Sequence, residues 1–274
     1  MTLLSSSKYI LRKKVCIVFF KLFYFYPECL PIAFERLVEK LKDDNVGVIN
    51  GAVSTILEVA RHNPEYVKFA SKPLYDLLNG NISNWILIKV LKLFTILSGV
   101  EPRLLRKLAE PIGRILSNTT SKSVEYEAII CIIKSFTEYP ALIQLAQDRI
   151  TGFIESNDNN LKYLGLNALK SLLDVNIETV AEFRSHILEC FSCTDLSIKI
   201  MAIEMIKLTT TSDTTEEIVD KFLKELETQS EAQEEIIDAI LYIVSYDTYE
   251  LVEDFQWLVK SLFAVIRYKS EKHE

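Results

Sequence analysis

The chain has 274 residues, 49% of them hydrophobic, and only 7 Gly and 7 Pro. That is ample material for a core but too few turn formers for a β-sandwich or barrel of this size. The net charge of −7 argues against nucleic acid as the main partner, and it is unevenly spread. Residues 1–137 hold 19 Lys/Arg against 12 Asp/Glu, a net of +7, and residues 138–274 hold 12 against 26, a net of −14. A basic half joined to an acidic half predicts two faces with different partners.

The chain opens with Lys8, Arg12, Lys13 and Lys14 ahead of an apolar run from Val15 to Tyr26. This has the look of the charged and apolar regions of a secretory signal. However, Lys21 interrupts the run, no small-residue cleavage site follows, and the run is too short to span a bilayer. The segment is read as a buried core helix over about residues 8–26. Its residues Val15, Ile17, Val18, Phe19, Phe20, Phe23 and Phe25 are expected to lack cover, as in a piece of a longer array. Self-association of the isolated chain is therefore expected.

Further on, Pro27, Pro64, Pro102 and Pro140 follow at steps of 37, 38 and 38, each opening a new apolar stretch. Polar breaks alternate with them, at Lys42 to Asn45, Asn79 to Asn81, Asn118 to Ser121, Ser156 to Asn160, Ser192 to Asp195 and Gln229-Ser230. Two interleaved periods near 38 predict one helix–turn–helix unit per repeat. The fold class is thus all-α, a HEAT/armadillo-like superhelical solenoid of about 14 helices. It forms a single domain over 1–274, with repeat breaks near 27, 64, 102, 140, 177, 213 and 248. The predicted order is a lone helix, six helix pairs through about 246, and a last helix at about 250–268.

Within the pairs, Trp85 to Leu97 is apolar except for Lys89, Lys92 and Thr95, which share one face. A helix apolar around most of its girth is packed on several sides, as an inner helix is. Trp85 itself is expected in the core. Pro31 to Leu41 carries Ile32, Phe34, Leu37, Val38 and Leu41 on one stripe, with Arg36, Glu39 and Lys40 opposite, which suits an outer helix. Gly47, Gly51 and Gly165 sit near helix starts, where close helix packing explains them.

Chemistry is sparse. His186, Cys190 and Cys193 supply three metal ligands where a structural zinc site needs four, and the other histidines are His62 and His273. The pair is better read as small residues at a helix end. The five cysteines, Cys16, Cys29, Cys131, Cys190 and Cys193, are odd in number, which favours a reduced, cytosolic compartment. No phosphate-binding loop, GxSxG or HExxH motif occurs. Glu216/Glu217 and Glu234/Glu235 read as solvated surface. No catalytic residue, cofactor or metal is expected. One charged set stands out as a possible contact for an anionic surface: Lys8, Arg12, Lys13 and Lys14, joined by Arg103, Arg106 and Lys107.

Several stretches carry a family resemblance. The run Asn160-Leu161-Lys162-Tyr163-Leu164-Gly165-Leu166 resembles one in the trunks of the adaptins, the large chains of clathrin-type adaptor complexes. Arg12 to Lys14 leading to Tyr26-Pro27-Glu28, Asn84 to Phe94, and Glu101 to Pro111 are similar to the delta class of the third such complex. The resemblance covers about residues 5–208 and fades in the Ser/Thr-rich turn Thr209 to Thr215. It implies a cytosolic, non-catalytic coat subunit, peripheral on Golgi and endosomal membranes, in transport to the lysosome or vacuole. The implied partners are a small sigma-type chain, a medium chain, a second large chain and an Arf-type GTPase. The beginning of the trunk, the hinge and the ear domain have no counterpart here. Apart from the resemblance, the repeats also fit another HEAT scaffold, coatomer-like or nuclear-transport, and a helical subunit with a hidden metal site.

Overall fold

The computed structural model describes residues 2–175, 180, 182–228 and 231–270. Among these there is no strand. The α-helices are α1 Tyr9–Phe25, α2 Leu30–Glu39, α3 Val46–His62, α4 Pro64–Val67, α5 Ser71–Leu78, α6 Asn84–Val100, α7 Leu105–Asn118, α8 Lys122–Ser135, α9 Pro140–Ile154 and α10 Asn159–Leu173. They continue as α11 Arg184–Phe191, α12 Leu196–Thr209, α13 Ser212–Glu227, α14 Gln233–Ser245 and α15 Phe255–Ser270. The repeat break near 177 and the break at Gln229-Ser230 lie outside the described residues.

Local chemistry explains where the helices begin. Pro27, Pro64, Pro102 and Pro140 are each the first residue of a helical segment, where a missing N–H costs nothing and the fixed φ suits the helix. The polar breaks supply caps. Asn45 Oδ1 accepts from Gly47 N at 2.9 Å, Asp158 Oδ1 from Asn160 N at 2.8 Å, and Asp195 Oδ1 from Ser197 N at 2.9 Å. Each satisfies a backbone donor that the first helical turn would otherwise leave open.

The chain divides into two compact units, Met1–Asp148 and Arg149–Glu274. In the first, α1, α3, α6 and α8 pack side by side in that order as an inner layer. Helices α2, α5 and α7 lie against α3, α6 and α8 respectively and form the outer layer. In the second unit α10, α12 and α14 pack in turn, with α11 on α12 and with α13 on both α14 and α15. This two-layer helical repeat is the HEAT/armadillo-like arrangement.

Burial follows the layers. On α6, Ile86, Val90, Leu91, Leu93, Phe94 and Leu97 are buried, gripped between α3, α8 and the outer α5. Backbones approach closely at two glycines. A side-chain carbon on Gly51 would lie 3.3 Å from the Lys13 carbonyl oxygen, and one on Gly165 would lie 2.7 Å from Ile154 Cγ1 and 3.1 Å from Ile154 N. Gly51 lets α3 meet α1, and Gly165 lets α10 meet the last turn of α9. Gly47 differs, because the atom nearest to an added carbon is its own cap, Asn45 Oδ1, at 3.0 Å.

The structure corrects several expectations. Trp85 is 75% exposed while Ile86 beside it is 1% exposed, so Trp85 occupies the side of the first turn of α6 that faces away from the neighbouring helices. Ile32 is 71% exposed and Ala33 takes the inward place on α2, because two residues along an α-helix turn a side chain about 200°, which puts Ile32 on the side opposite Phe34. The outer helix after Pro64 is broken into α4, a 3-10 turn at Lys68–Ala70, and α5. The last helix starts at Phe255, five residues later than the pattern suggests. The chain first passes through Asp247, Thr248 and Tyr249, all at positive φ (38°, 61° and 70°). On α1, Phe19 and Phe23 are buried, and Ile17, Val18 and Phe25 remain outside.

Candidate partner-binding surface

A surface made by one layer needs its helices fixed at one spacing, and polar links between inner helices do this. Thr55 Oγ1 of α3 donates to the Cys16 carbonyl of α1 at 2.7 Å. Lys89 Nζ of α6 donates to Asn50 Oδ1 and Ser54 Oγ of α3 at 2.8 and 2.7 Å. Lys92 meets Glu127 of α8 at 3.4 Å, and Ser98 Oγ and Ser135 Oγ lie 2.8 Å apart. Lys89 and Lys92, two of the three polar positions that interrupt the apolar α6, therefore form with Ser98 a seam between repeats. Burial lowers the Lys89 pKa and raises that of Glu127, whose nearby Lys92 opposes the rise. In the second unit Lys170 of α10 pairs with Glu204 of α12 at 2.5 Å, and Asn159 Nδ2 donates to Asp195 Oδ2 at 3.2 Å.

The basic residues singled out by sequence fall on separate elements. Lys8 precedes α1, and Lys13 and Lys14 lie on it, all three exposed. Arg103 sits in the 3-10 turn Pro102–Leu104, and Arg106 and Lys107 open α7 in the outer layer, again exposed. Arg12 behaves differently. Its Nε and Nη2 donate to Asp43 Oδ2 and Oδ1, both at 2.8 Å, and its Nη1 donates to the Ser6 carbonyl at 2.8 Å. The Asp43 side chain is only 6% exposed, and it also accepts from Asn45 N at 3.0 Å. The Arg12 hydrogen bond holds the Asp43 carboxyl below the usual carboxylate range, and Asp43 in turn raises the Arg12 pKa. Arg12 is thus a bidentate clamp between α1 and the α2–α3 connection, a structural use of the fork geometry. It does not belong with the free cations.

The remaining candidates carry no site chemistry. His186 Nε2 lies 3.3 Å from Glu155 Oε1, and its buried Nδ1 has no partner. Among the described residues no three metal-binding side chains come together, and His273 lies outside them. Burial raises the thiol pKa of Cys16 to about 11 and of Cys131 to about 12, so both stay protonated and inert as nucleophiles. Burial also raises that of Cys190. Glu217 is ion-paired with Lys221 at 2.7 Å and Arg184 at 3.6 Å, and Glu216 and Glu234 are exposed. Sequence reasoning missed Phe69, which is 75% exposed on the broken outer helix. Its only signal is a large aromatic between Lys68 and Lys72, in a polar stretch.

Comparison with known proteins decides the family, since the profile of the adaptin N-terminal region matches residues 1–274. The chain is a member of the adaptin N-terminal-region family. It is 33% identical over 282 residues to AP-3 complex subunit delta-1 of Bos taurus, covering 100% of this chain and 23% of that protein. AP-3 complex subunit delta of Dictyostelium discoideum is 34% identical over 275 residues, covering 100% of this chain and 24% of that one. The same subunit of Saccharomyces cerevisiae is 33% identical over 282 residues, with coverages of 93% and 30%. The adaptin chain thus spans about a quarter to a third of the length of these relatives. Among structures, a homology model of the full-length AP-3 complex in an intermediate open conformation aligns with a TM-score of 0.66 at 30% identity, over 97% of this chain and 51% of that one. A designed armadillo repeat protein aligns at 0.55 and 17% identity, over 76% and 98%, and supports the fold class. No helix among the described residues of this adaptin is long and apolar enough to cross a membrane.

Proposed function

We propose that this adaptin is a non-catalytic scaffold subunit of a vesicle-coat adaptor complex, acting in protein transport from Golgi or endosomes to the lysosome or vacuole. Its 274 residues form one helical-repeat piece of a delta-type trunk. The observation that carries the reading is the match of the whole chain to AP-3 delta subunits at about one-third identity. Relatives named as AP-1 gamma subunits, at 22% identity, favour an adaptor over a coatomer-like or nuclear-transport scaffold. The bound partners are a small sigma-type chain, a medium chain and a second large chain, with recruitment by an Arf-type GTPase. Stacked repeats suit this work because they present a long surface built from many similar units.

Peripheral membrane association follows from the free cations. Lys8 just before α1 and Lys13 and Lys14 on it, with Arg103 in the turn before α7 and Arg106 and Lys107 at its start, each add roughly 1 kcal/mol beside an anionic leaflet, within a Debye length. Such binding is weak and salt-sensitive, and a protein partner supplies the second contact.

Co-expression with candidate small, medium and second large adaptor chains tests the main reading. Stable co-purification with a sigma-type chain is expected, and failure with every candidate removes the adaptor assignment. Anionic liposomes should sediment the chain at low salt and release it near physiological salt. The triple variant Lys8→Glu, Lys13→Glu, Lys14→Glu should stay in solution, and unchanged sedimentation would remove the electrostatic argument.

A further inference from the structure

An apolar groove of about 560 Å³ runs along the outer layer between α2 and the broken segment α4–α5. Its floor is Phe34 and Val38, both buried, with Tyr66, whose ring meets that of Phe34 edge-on at 6.1 Å. The 3-10 turn that interrupts the outer helix turns Ala70 inward and leaves Phe69 at the groove mouth, 75% exposed. Nothing in the fold requires that. An unbroken helix packed on α6 would have no reason to hold a phenylalanine in water at a cost in apolar exposure.

The rim carries the second signal. Glu35 and Glu39 lie one turn apart on α2, both line the groove and both are exposed. Like charges at this spacing repel. Several other carboxylates of this basic half are ion-paired within it, among them Asp43 with Arg12, Glu58 with Arg61, Glu65 with Lys68 and Glu110 with Arg114, while Glu28, Asp44 and Asp76 show no ion pair among the described residues but do not line the groove. Neither Glu35 nor Glu39 is within ion-pair distance of a cation among the described residues, and Lys42, which also lines the groove, leaves the rim one negative charge in excess. An aromatic at the mouth and a rim with two carboxylates against one lysine are complementary to one chemistry. A guanidinium or ammonium group stacks on the ring face and pairs with the carboxylates, while adjoining aliphatic side chains fill the floor.

We propose that this groove is a docking site for a segment of a partner protein in which arginine or lysine alternates with bulky aliphatic residues. The groove volume falls in the range of specific binding sites and exceeds what a single side chain would fill. The inference rests on reading the chain as a protein-binding scaffold, and it places a partner on the outer layer, away from the inner-helix seam.

The test measures fluorescence anisotropy of two labelled peptides against the full chain, one of Arg-Leu-Leu repeats and its counterpart with Glu in place of Arg. The Arg peptide should bind and the Glu peptide should not. The double variant Glu35→Lys, Glu39→Lys should reverse that preference, and Phe69→Ser should weaken the Arg peptide by about tenfold. Both variants change exposed positions, and unaltered thermal melts confirm the fold. Equal binding of both peptides, no binding of either, or indifference to the variants overturns the proposal. So does a concentration-dependent dimer that Phe69→Ser abolishes, since a second copy would then cover the groove. Co-purification of Phe69→Ser with the sigma-type chain separates the two readings. If it persists while the peptides fail, only the groove proposal falls. If it fails for the native chain while the peptides bind, the adaptor assignment falls and the groove stands.

Discussion

The inner and outer helices use their apolar residues differently. Inner α6 buries Ile86, Val90, Leu91, Leu93, Phe94 and Leu97 and turns Lys89 and Lys92 into links with α3 and α8. Outer α2 buries Ala33, Phe34, Leu37 and Val38 on one side and leaves Ile32, Glu35 and Glu39 to solvent. The inner layer is therefore specified by its neighbours and the outer layer by water on one face. Substitutions in the inner layer should cost stability, and those on the outer rim should cost binding alone.

The largest expected effect is at Gly165, where any side chain meets Ile154. Gly165→Leu should destabilise the second unit by about 1–3 kcal/mol, as overpacking does, read as a lower denaturation midpoint. An unchanged midpoint would show that α9 and α10 can part freely. Next is Thr55→Val, which removes the buried link from α3 to the Cys16 carbonyl. The cost should be about 1 kcal/mol, with earlier loss of α1 seen by hydrogen exchange. If α1 exchanges as before, the inner layer is held by apolar packing alone.

A smaller effect distinguishes the buried carboxylate of the seam from the clamped one near α1. Burial raises the Glu127 pKa, so its contribution to stability is present when it is protonated and is lost as pH rises through the folded pKa. Glu127→Gln should thus gain on the native chain in melting temperature as pH rises from about 4 to neutral. Asp43 runs the other way, because its pKa is lowered. Its stabilisation is present above the unfolded value and is lost as pH falls through the folded one, so Asp43→Asn should be most harmful at neutral pH. Parallel curves for the two variants would mean that the seam and the clamp share one environment. The smallest effect is at Ile32, 71% exposed on the outer layer. Ile32→Ser should move stability by no more than about 0.5 kcal/mol. A larger loss would show that the outer face is covered.

The repeat was legible because its punctuation is chemical. Prolines at helix starts and Asn45, Asp158 and Asp195 at caps mark the boundaries whatever surrounds them. Facing was legible only in part. On a helix apolar nearly all round, periodicity does not say which side the neighbours cover, so Trp85 passed as core, and Ile32 was grouped with a stripe that lies on the other side of α2. The candidate site was less legible still. Arg12 looks like its lysine neighbours in sequence, and only the fold brings Asp43, thirty-one residues on, against it. Phe69 is displaced outward by a 3-10 turn that no residue in Lys68–Ala70 announces.

Among the described residues, the polar links seen between helices of neighbouring repeats join residues from 26 to 39 positions apart, as with Lys199–Glu225 and Lys89–Asn50. A bond of that reach waits for one more repeat and for nothing beyond it. During synthesis at about 5–20 residues per second, the partner of each newly emerged helix arrives within roughly one to eight seconds. The nascent chain can therefore close its seams in the order in which they are translated, and the ribosome itself paces the assembly.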